Sequence, residues 1–157
     1  MRAIIVVLSD AHGFVAPVET AIEKSKPDVV IFCGDGASRV EDISYLYPEI
    51  KFYIVKGNCD ASNFPYELEE KIGSKSFFIT HGHNYNVKYS YDEIIKSAKL
   101  RGVDVVLFGH THIPVNEYNN GLYIMNPGSC AMPRDRKPTY GFIDVVGNNI
   151  VTNIVEL

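Results

Sequence analysis

The chain has 157 residues, of which 46% are hydrophobic and 22% are charged, and its formal net charge at pH 7 is −4. This length fits one domain, and the composition excludes fibrous, low-complexity and largely disordered proteins. A net negative charge gives no electrostatic footprint for duplex nucleic acid, so we expect no such partner. The three cysteines lie far apart and cannot all pair within one chain, which favours a reducing compartment.

The beginning of the chain carries no targeting or membrane-spanning pattern. Only six apolar residues, 3–8, separate Arg2 from the polar residues Ser9 and Asp10. Such a run is too short for the apolar region of a signal peptide and far too short to span a bilayer. We therefore predict a cytoplasmic protein without a membrane segment.

The first part of the chain alternates apolar runs with helical patterns. Residues 3–8 and 29–33 are apolar without alternation, which is typical of strands buried on both faces, and residues 52–55 predict a third strand. Apolar residues at helical spacing predict helices over 15–26 and 40–47, each ended by a proline. This β-α-β-α-β order predicts right-handed crossovers and a parallel sheet.

The rest of the chain adds hairpins to this pattern. A Gly-Ser turn between residues 68–72 and 76–80 predicts a hairpin that leads into a fourth core strand. A helix is predicted over 91–100 and a fifth buried strand over 103–108. Asn-Gly and Gly-Asn-Asn turns predict two further hairpins, formed by residues 115–118 with 122–125 and by residues 140–146 with 150–155.

Five predicted strands run directly into side chains that can bind a metal ion. The carboxyl ends of parallel strands lie at one edge of a sheet, so we expect these side chains to converge in one crevice of a single sheet. All five histidines of the chain lie at these positions. The segments are Asp10-Ala11-His12, Gly34-Asp35-Gly36, Gly57-Asn58-Cys59-Asp60, His81-Gly82-His83 and Gly109-His110-Thr111-His112.

Each segment alone also has an ordinary structural interpretation, because Asp often caps a helix and Gly-Asp-Gly often forms a turn. Their common placement at strand ends favours a metal site. Two carboxylates, an amide and at least three imidazoles exceed what one tetrahedral ion accepts, so two ions are predicted. Mixed nitrogen and oxygen ligands favour transition metals over Ca²⁺ or Mg²⁺ alone, and ion pairs about 3.5–4 Å apart serve phosphoester hydrolysis.

These segments resemble the calcineurin-like metallophosphoesterase superfamily, whose blocks D-x-H, GD, GN-[HC]-[DE], H and GH-x-H occur here in order over residues 10–112. The segments Asn126-Pro127-Gly128-Ser129 and Pro133-Arg134 extend the likeness. The small size and the Gly-Asn-Cys-Asp form are most similar to the compact YfcE-like phosphodiesterase branch. The resemblance implies an αββα sandwich, with two packed mixed β-sheets flanked by helices in one domain spanning residues 1–157.

The resemblance also implies a ligand set and a reaction. A hydroxide bridging two divalent ions would attack phosphorus in line, without a covalent enzyme intermediate. Mn²⁺ or Ni²⁺ is the expected metal, with Co²⁺, Fe²⁺ and Zn²⁺ as alternatives, and Asn58 could also touch the phosphate. Asp10, His12 and His112 would hold the first ion, Asn58, His81 and His110 would hold the second, and Asp35 would bridge both.

One departure from the family pattern bears on catalysis. Many relatives carry a histidine after the asparagine of the third block, credited with protonating the leaving group or stabilising the transition state, whereas this chain has Cys59. A thiol is a poor acid for an alkoxide, so we expect a bias toward activated diesters. His83 is an alternative source of the missing imidazole, and a structural role for His83 is left open.

We therefore predict a metal-dependent phosphodiesterase that acts on small phosphodiesters. Hydrolysis of monoesters or cyclic nucleotides at the same site is an alternative. A non-catalytic protein-binding scaffold, like the vacuolar-sorting subunit with this fold, is another, although none of the seven ligand positions is eroded. Two questions are left open: whether the chain forms a homodimer, and whether the cations Arg134, Arg136 and Lys137 form a solvated loop or contact an anionic substrate.

Overall fold

A computed structural model describes residues 1–134 and 136–157 of the chain. These residues form ten strands, three α-helices and one 3-10 turn over His83–Tyr85. The helices are α1 (Ala16–Ser25), α2 (Ala37–Ser44) and α3 (Asp92–Arg101). The strands are β1 (Arg2–Leu8), β2 (Val29–Phe32), β3 (Lys51–Ile54), β4 (Glu67–Ile72), β5 (Lys75–Thr80), β6 (Val105–Leu107), β7 (Val115–Asn119), β8 (Leu122–Asn126), β9 (Thr139–Val146) and β10 (Asn149–Glu156).

The strands are divided between two mixed sheets of five. The first has the order β10-β9-β1-β2-β3, in which β1, β2 and β3 are parallel, β9 is antiparallel to β1, and β10 is antiparallel to β9. The second has the order β4-β5-β6-β8-β7, in which β5, β6 and β8 are parallel. The parallel β1-β2-β3 core and all three predicted hairpins are therefore confirmed.

The two sheets pack face to face, and helices cover their outer faces. Ile5 and Ile31 of the first sheet share a buried cluster with Phe77 and Leu107 of the second. Alternate residues of the first sheet point outward onto α1 and α2, and the outer face of the second sheet packs on α3. Because β1 and β2 are covered on both faces, they need no polar alternation. The predicted αββα sandwich is confirmed.

The prediction of one sheet for all five strand ends was wrong. β1, β2 and β3 lie in the first sheet, whereas β5 and β6 lie in the second. The residues that follow these strands still meet, because both sheets direct the carboxyl ends of their parallel strands toward the same end of the sandwich. The physical reason for the error is that an apolar run predicts a strand buried on both faces but does not identify the strands that pair with it.

The start of α2 also differs from its prediction. Residues 40–47 were expected to be helical, but the helix covers Ala37–Ser44. The Asp60 carboxylate, from a loop distant in sequence, accepts hydrogen bonds from the amides of Gly36 and Ala37 at 2.8 and 3.2 Å. This tertiary cap satisfies amide groups that a helix leaves free at its beginning, so the helix starts one turn early.

The three hairpin turns lie at the opposite end of the sandwich from the carboxyl ends of the parallel strands. β5 and β8 both begin at such a turn and run parallel to β6. The β9–β10 turn follows Val146, which pairs with Arg2 at the beginning of β1. The molecule thus has a turn end and a loop end. In the part of the chain that the structure describes, no helix has the length and apolarity needed to cross a membrane.

Candidate metal centre

Donor atoms from four strand-end loops gather at the loop end in two clusters. Within each cluster the ligand atoms lie within 4.8 Å of one another. The first cluster combines the residues after β1 with the last histidine after β6, and the second combines residues after β2, β5 and β6. The first cluster contains Asp10, His12 and His112, and the second contains Asp35, His81 and His110.

Asp10 is fully buried and presents one free carboxylate oxygen to three imidazoles. Its Oδ2 accepts hydrogen bonds from Ser9 Oγ at 2.7 Å and from the His110 amide at 3.0 Å. Its Oδ1 lies 3.4 Å from His112 Nε2 and 3.8 Å from the Nε2 atoms of His12 and His81. The two oxygens therefore have different roles, one holding the loops together and one facing the clusters.

Asp35 lies between the two clusters. Its Oδ2 is 3.8 Å from His12 Nε2 in the first cluster and 3.2 Å from His81 Nε2 in the second, while its Oδ1 accepts from the Cys59 amide at 2.9 Å. Burial raises the pKa of this carboxyl, but the neighbouring His81 imidazole and the Cys59 amide outweigh it, and the pKa lies well below its usual range. Asp35 is thus an anion at neutral pH.

Backbone carbonyls fix the orientation of two histidines. His81 Nδ1 donates to the Cys33 carbonyl at 2.7 Å, and His112 Nδ1 donates to the Met132 carbonyl at 2.6 Å. A carbonyl only accepts, so each Nδ1 carries the proton and each Nε2 is left to face the carboxylates. For His110, burial and the neighbouring His81 lower the pKa to about 4, which keeps this imidazole neutral at pH 7.

The residues present fit divalent metal ions. Among the residues that the structure describes, Asp10 Oδ1 and His81 Nε2 are buried without a hydrogen-bond partner. A buried polar atom without a partner is costly, and here both atoms point toward other lone pairs, an arrangement that a cation would stabilise. Against burial, the carboxylates of Asp35 and Asp10 raise the pKa of His81, and the nearby carboxylate of Asp10 raises the pKa of His112, so both sites attract positive charge.

Asn58 and Cys59 lie on the exposed loop after β3. Asn58 Nδ2 lies 3.7 Å from Cys59 Sγ, and the thiol lies within 4.8 Å of ligand atoms of His12 and Asp35. Partial burial, followed by the negative charge of Asp35, raises the pKa of the Cys59 thiol. The thiol is therefore protonated at neutral pH and lies beside the centre.

His83 lies next to the second cluster, in the 3-10 turn that follows His81. Its ring centroid is 5.4 Å from that of His81 and 5.6 Å from that of Tyr66. Burial and the charge of His81 lower the pKa of His83, so the imidazole is neutral at pH 7. Its Nδ1 atom is buried and has no hydrogen-bond partner within the described part of the chain.

The loops reach these positions through left-handed backbone conformations. Eight non-glycine residues described by the structure have positive φ, and five of them belong to the two clusters. This region is unfavourable for residues with a side chain and persists only where the surroundings enforce it. The sequence carried no signal for this strain. The φ angles are 57° for Asp10, 48° for His12, 63° for Asp35, 71° for His110 and 61° for His112.

Two glycines let the loops approach the carboxylates closely. A methyl group on Gly57 would collide with Asp35 Oδ1, and one on Gly109 would collide with Ser9 Oγ and lie 2.7 Å from Asp10 Oδ2. Real side-chain carbons do not come this close to such atoms, so the loops after β3 and β6 require glycine beside the carboxylates.

Asp60, which the sequence grouped with the possible ligands, has a different role. Its carboxylate accepts hydrogen bonds from the amides of Asp35, Gly36 and Gly57 at 2.8–2.9 Å, besides its bond to the Ala37 amide. Asp60 therefore joins the loops after β2 and β3 and sets the backbone of Asp35. This role is visible only because the two loops lie close together in space, which the sequence does not show.

Buried hydrogen bonds from residues 126–129 connect the loop after β6 with the loop after β1. Ser129 Oγ donates to the Asp10 carbonyl at 2.8 Å. Asn126 Nδ2 donates to the Gly109 carbonyl at 3.1 Å and to Thr111 Oγ1 at 2.9 Å. The segment Asn126-Pro127-Gly128-Ser129, noted in the sequence only through its resemblance, thus holds the first cluster together.

Comparison with known proteins finds a matching family model and named relatives. Residues 3–148 match the calcineurin-like phosphoesterase superfamily domain. The probable metallophosphoesterase YsnB of Bacillus subtilis (strain 168) is 32% identical over an alignment of 163 positions, which covers 93% of this chain and 94% of YsnB. The phosphodiesterase YfcE of Escherichia coli (strain K12) is 28% identical over 131 residues, which cover 77% of this chain and 62% of YfcE.

A solved structure named for vacuolar protein sorting shares the fold. Vacuolar Protein Sorting 29 from Cryptosporidium parvum aligns with a TM-score of 0.83 at 19% identity, over 99% of this chain and 92% of that chain. This likeness concerns the fold alone. The family match over residues 3–148 and the similarity to YsnB and YfcE confirm the resemblance read from the motifs: the chain belongs to the calcineurin-like phosphoesterase superfamily.

Proposed function

We propose that this phosphoesterase-family chain is a phosphodiesterase with a dinuclear metal centre. The observation that carries the proposal is the position of Asp35, whose Oδ2 lies 3.8 Å from His12 in one cluster and 3.2 Å from His81 in the other. A carboxylate placed between two donor clusters is suited to bridge two ions. The name of YfcE, a phosphodiesterase, supports the substrate class.

In this proposal each cluster holds one ion. The first ion is bound by Asp10, His12 and His112, and the second by His81, His110 and the exposed amide of Asn58, with Asp35 shared. The bonds from His81 Nδ1 and His112 Nδ1 to carbonyls leave Nε2 as the ligand atom of each ring. Mixed carboxylate and imidazole donors support Mn²⁺ or Ni²⁺, with Co²⁺, Fe²⁺ and Zn²⁺ as alternatives.

Two bound divalent ions would supply positive charge for the phosphate oxygens and would lower the pKa of water enough for attack on phosphorus near neutral pH. The chain supplies the surrounding groups. Asp35 provides a fixed negative charge, and the neutral His110 imidazole offers a lone pair. Asn58, exposed on the loop after β3, can donate its amide to a phosphate oxygen.

The proposed preference for diesters rests on the acidity of the groups that lie beside the two clusters. The raised pKa of Cys59 makes the thiol a weaker acid than a free thiol, and the neutral His83 lies beside the second cluster, with its ring 5.4 Å from that of His81. General-acid assistance contributes about 10²–10⁴-fold, so its loss is felt most where the leaving group is a poor one. Small diesters with activated leaving groups are therefore the proposed substrates.

The first experiment is a metal titration with two substrates. Metal-stripped protein receives Mn²⁺, and hydrolysis of bis(p-nitrophenyl) phosphate is followed in parallel with that of p-nitrophenyl phosphate. We expect activity to appear near two ions per chain and to favour the diester. Full activity at one ion per chain would contradict the dinuclear centre, and a preference for p-nitrophenyl phosphate would support the monoesterase alternative.

A protein-binding scaffold is the second candidate function. The fold shared with Vacuolar Protein Sorting 29 is the observation behind it, and that likeness is one of fold alone. Absence of turnover with Mn²⁺, Ni²⁺ and Co²⁺ would favour this candidate. The cytoplasmic location stays a prediction, which fractionation of cells would test. Whether the chain forms a homodimer stays an open question, which sedimentation of the purified chain would answer.

A further inference from the structure

A cleft of about 300 Å³ opens beside the candidate metal centre, on the side of the loop after β6. Thr111, which lies between the two histidines of that loop, forms its floor. Two cations, Lys88 and Arg134, stand on its walls. The complete lining is Val87, Lys88, Tyr91, Thr111, Ile113 and Arg134.

The structure holds both cationic walls against the centre. On one side, Val87 is buried with Phe108 in the core under α3, and the Tyr91 ring packs 5.3 Å from the Phe108 ring, so the segment that carries Lys88 is anchored at both ends. On the other side, Arg134 follows Met132, whose carbonyl accepts the hydrogen bond of His112.

Both cations line the same cleft as Thr111, the residue between His110 and His112, so they lie on the side of the centre where these two imidazoles stand. Across the residues that the structure describes, no carboxylate forms an ion pair with Lys88. The lining of the cleft contains these two cations and no acidic residue, in a chain whose net charge is −4.

We propose that this cleft binds a second anionic group carried by the substrate. An ester arm that leaves the centre past His110 and His112 enters the cleft, where Lys88 and Arg134 contact a phosphate or carboxylate at its end. The substrate class is then a phosphodiester of which one alcohol bears a further negative charge. This inference rests on the proposed phosphodiesterase function and deepens it.

The test compares substrates that share a leaving group and differ only in the other arm. The two probes are 4-nitrophenyl propyl phosphate and 4-nitrophenyl 3-phosphonooxypropyl phosphate, with the 3-carboxypropyl diester to separate phosphate from carboxylate. Two exposed ion pairs predict about a tenfold advantage in kcat/KM for the anionic arms. We expect 0.5 M KCl to reduce this advantage, because salt screens exposed charges.

Variants assign the preference to the cleft. In the Lys88→Met, Arg134→Met double variant we expect the ratio of anionic to neutral substrate to fall to about one, while the neutral diester keeps its rate within about twofold. Lys71→Met, near the turn end on β4, removes the same charge away from the cleft and should leave the ratio unchanged. An equal loss for both substrates would mean that the cations only attract the reacting phosphate, and the proposal would then be wrong.

A binding measurement keeps this test independent of turnover. Mn²⁺-loaded protein is titrated calorimetrically with 1,3-propylenediphosphonate and with propylphosphonate. Tighter binding of the two-headed probe, by about tenfold in the wild type and lost in the double variant, supports the cleft even if no diester is hydrolysed. Hydrolysis of the neutral diester together with equal affinity for the two probes would overturn the cleft and leave the phosphodiesterase proposal standing.

Discussion

The two ends of the sandwich reach left-handed backbone conformations in different ways. At the turn end, the hairpins use Gly73, the pair Asn120-Gly121 and Gly147, residue types that adopt positive φ at low cost. At the loop end, aspartates and histidines of the candidate centre adopt it instead. The turn end is thus determined by local sequence, whereas the loop end is held by contacts between distant segments and stores strain where the candidate ligands lie.

The largest expected effect comes from removing the charge shared by the two clusters. Asp35→Asn keeps the size of the side chain and an oxygen for the Cys59 amide, but replaces the anion between His12 and His81. We expect diesterase activity to fall by about 10²–10³-fold or more and the bound Mn²⁺ to fall below two per chain. Activity assays and metal analysis of the dialysed protein measure both.

Asp42→Asn is the matched control for this substitution. Asp42 is an exposed aspartate on α2, with a side chain that is 70% accessible, and we expect its variant to behave as wild type. Activity of Asp35→Asn within tenfold of wild type would show that a carboxylate shared by two ions is not needed.

The contrast between the ends also explains which parts of the molecule were predictable. Strands, hairpins and the family resemblance follow from local patterns, and the turn residues appear in the sequence as Asn-Gly and Gly-Asn. The left-handed conformations of His12 and His112, by contrast, leave no trace in residue type. They arise because a neighbouring loop holds the backbone, as when the Asp35 carbonyl accepts the His12 amide at 2.9 Å.

The misplaced start of α2 has the same origin. Asp60 lies 23 residues after Ala37, the first residue of the helix that it caps, so no local capping pattern precedes Ala37. The separation of five strand ends into two sheets was likewise unpredictable from apolar runs, because burial on both faces does not identify the neighbour. Sequence therefore predicted which residues gather at the loop end but not how the backbone is held there.

The second largest effect should come from Asp60, because its carboxylate accepts hydrogen bonds from several backbone amides at once. Asp60→Ala leaves the amides of Asp35, Gly36, Ala37 and Gly57 without their acceptor. We expect the free energy of unfolding of the metal-free protein to fall by about 3 kcal/mol, measured by urea denaturation.

Two variants show whether this loss is particular to the loop end. Asp60→Asn retains one acceptor oxygen and should lose less stability than Asp60→Ala. At the turn end, Ser74→Ala removes a single exposed hydrogen bond to the Gly147 carbonyl and should cost less than about 1 kcal/mol. Equal losses for Asp60→Ala and Ser74→Ala would contradict the view that tertiary bonds hold the loop end.

A smaller effect is expected from the thiol beside the centre. Cys59→His places an imidazole within reach of His12 and Asp35 and supplies the acid that the raised pKa of the thiol denies. We expect the ratio of p-nitrophenyl phosphate to bis(p-nitrophenyl) phosphate hydrolysis to rise by about tenfold, at the modest end of general-acid effects. Cys59→Ser, which brings no imidazole, should leave the ratio where it is, and so a rise in both variants would remove Cys59 as the selector.

The smallest effect tests the strain itself. His12 has a φ of 48°, so a residue without a side-chain carbon should fit there better than alanine. We expect the free energy of unfolding of metal-free His12→Gly to exceed that of His12→Ala by about 1 kcal/mol, which is the reverse of the usual order in a helix. Both variants lose the same imidazole, so the difference between them reports the backbone and not the lost ligand.

The same pair of substitutions at the turn end completes the argument. Asn120 has a φ of 49°, and Asn120→Gly should likewise exceed Asn120→Ala in stability. At Glu41, inside α2, the order should be the ordinary one, with alanine more stable. Agreement between His12 and Asn120 would mean that both ends bear the same backbone cost, which asparagine lessens locally and histidine does not. An alanine at position 12 as stable as glycine would mean that the loop relaxes once its imidazole is gone, so that the ligand and not the surrounding backbone maintains the strain.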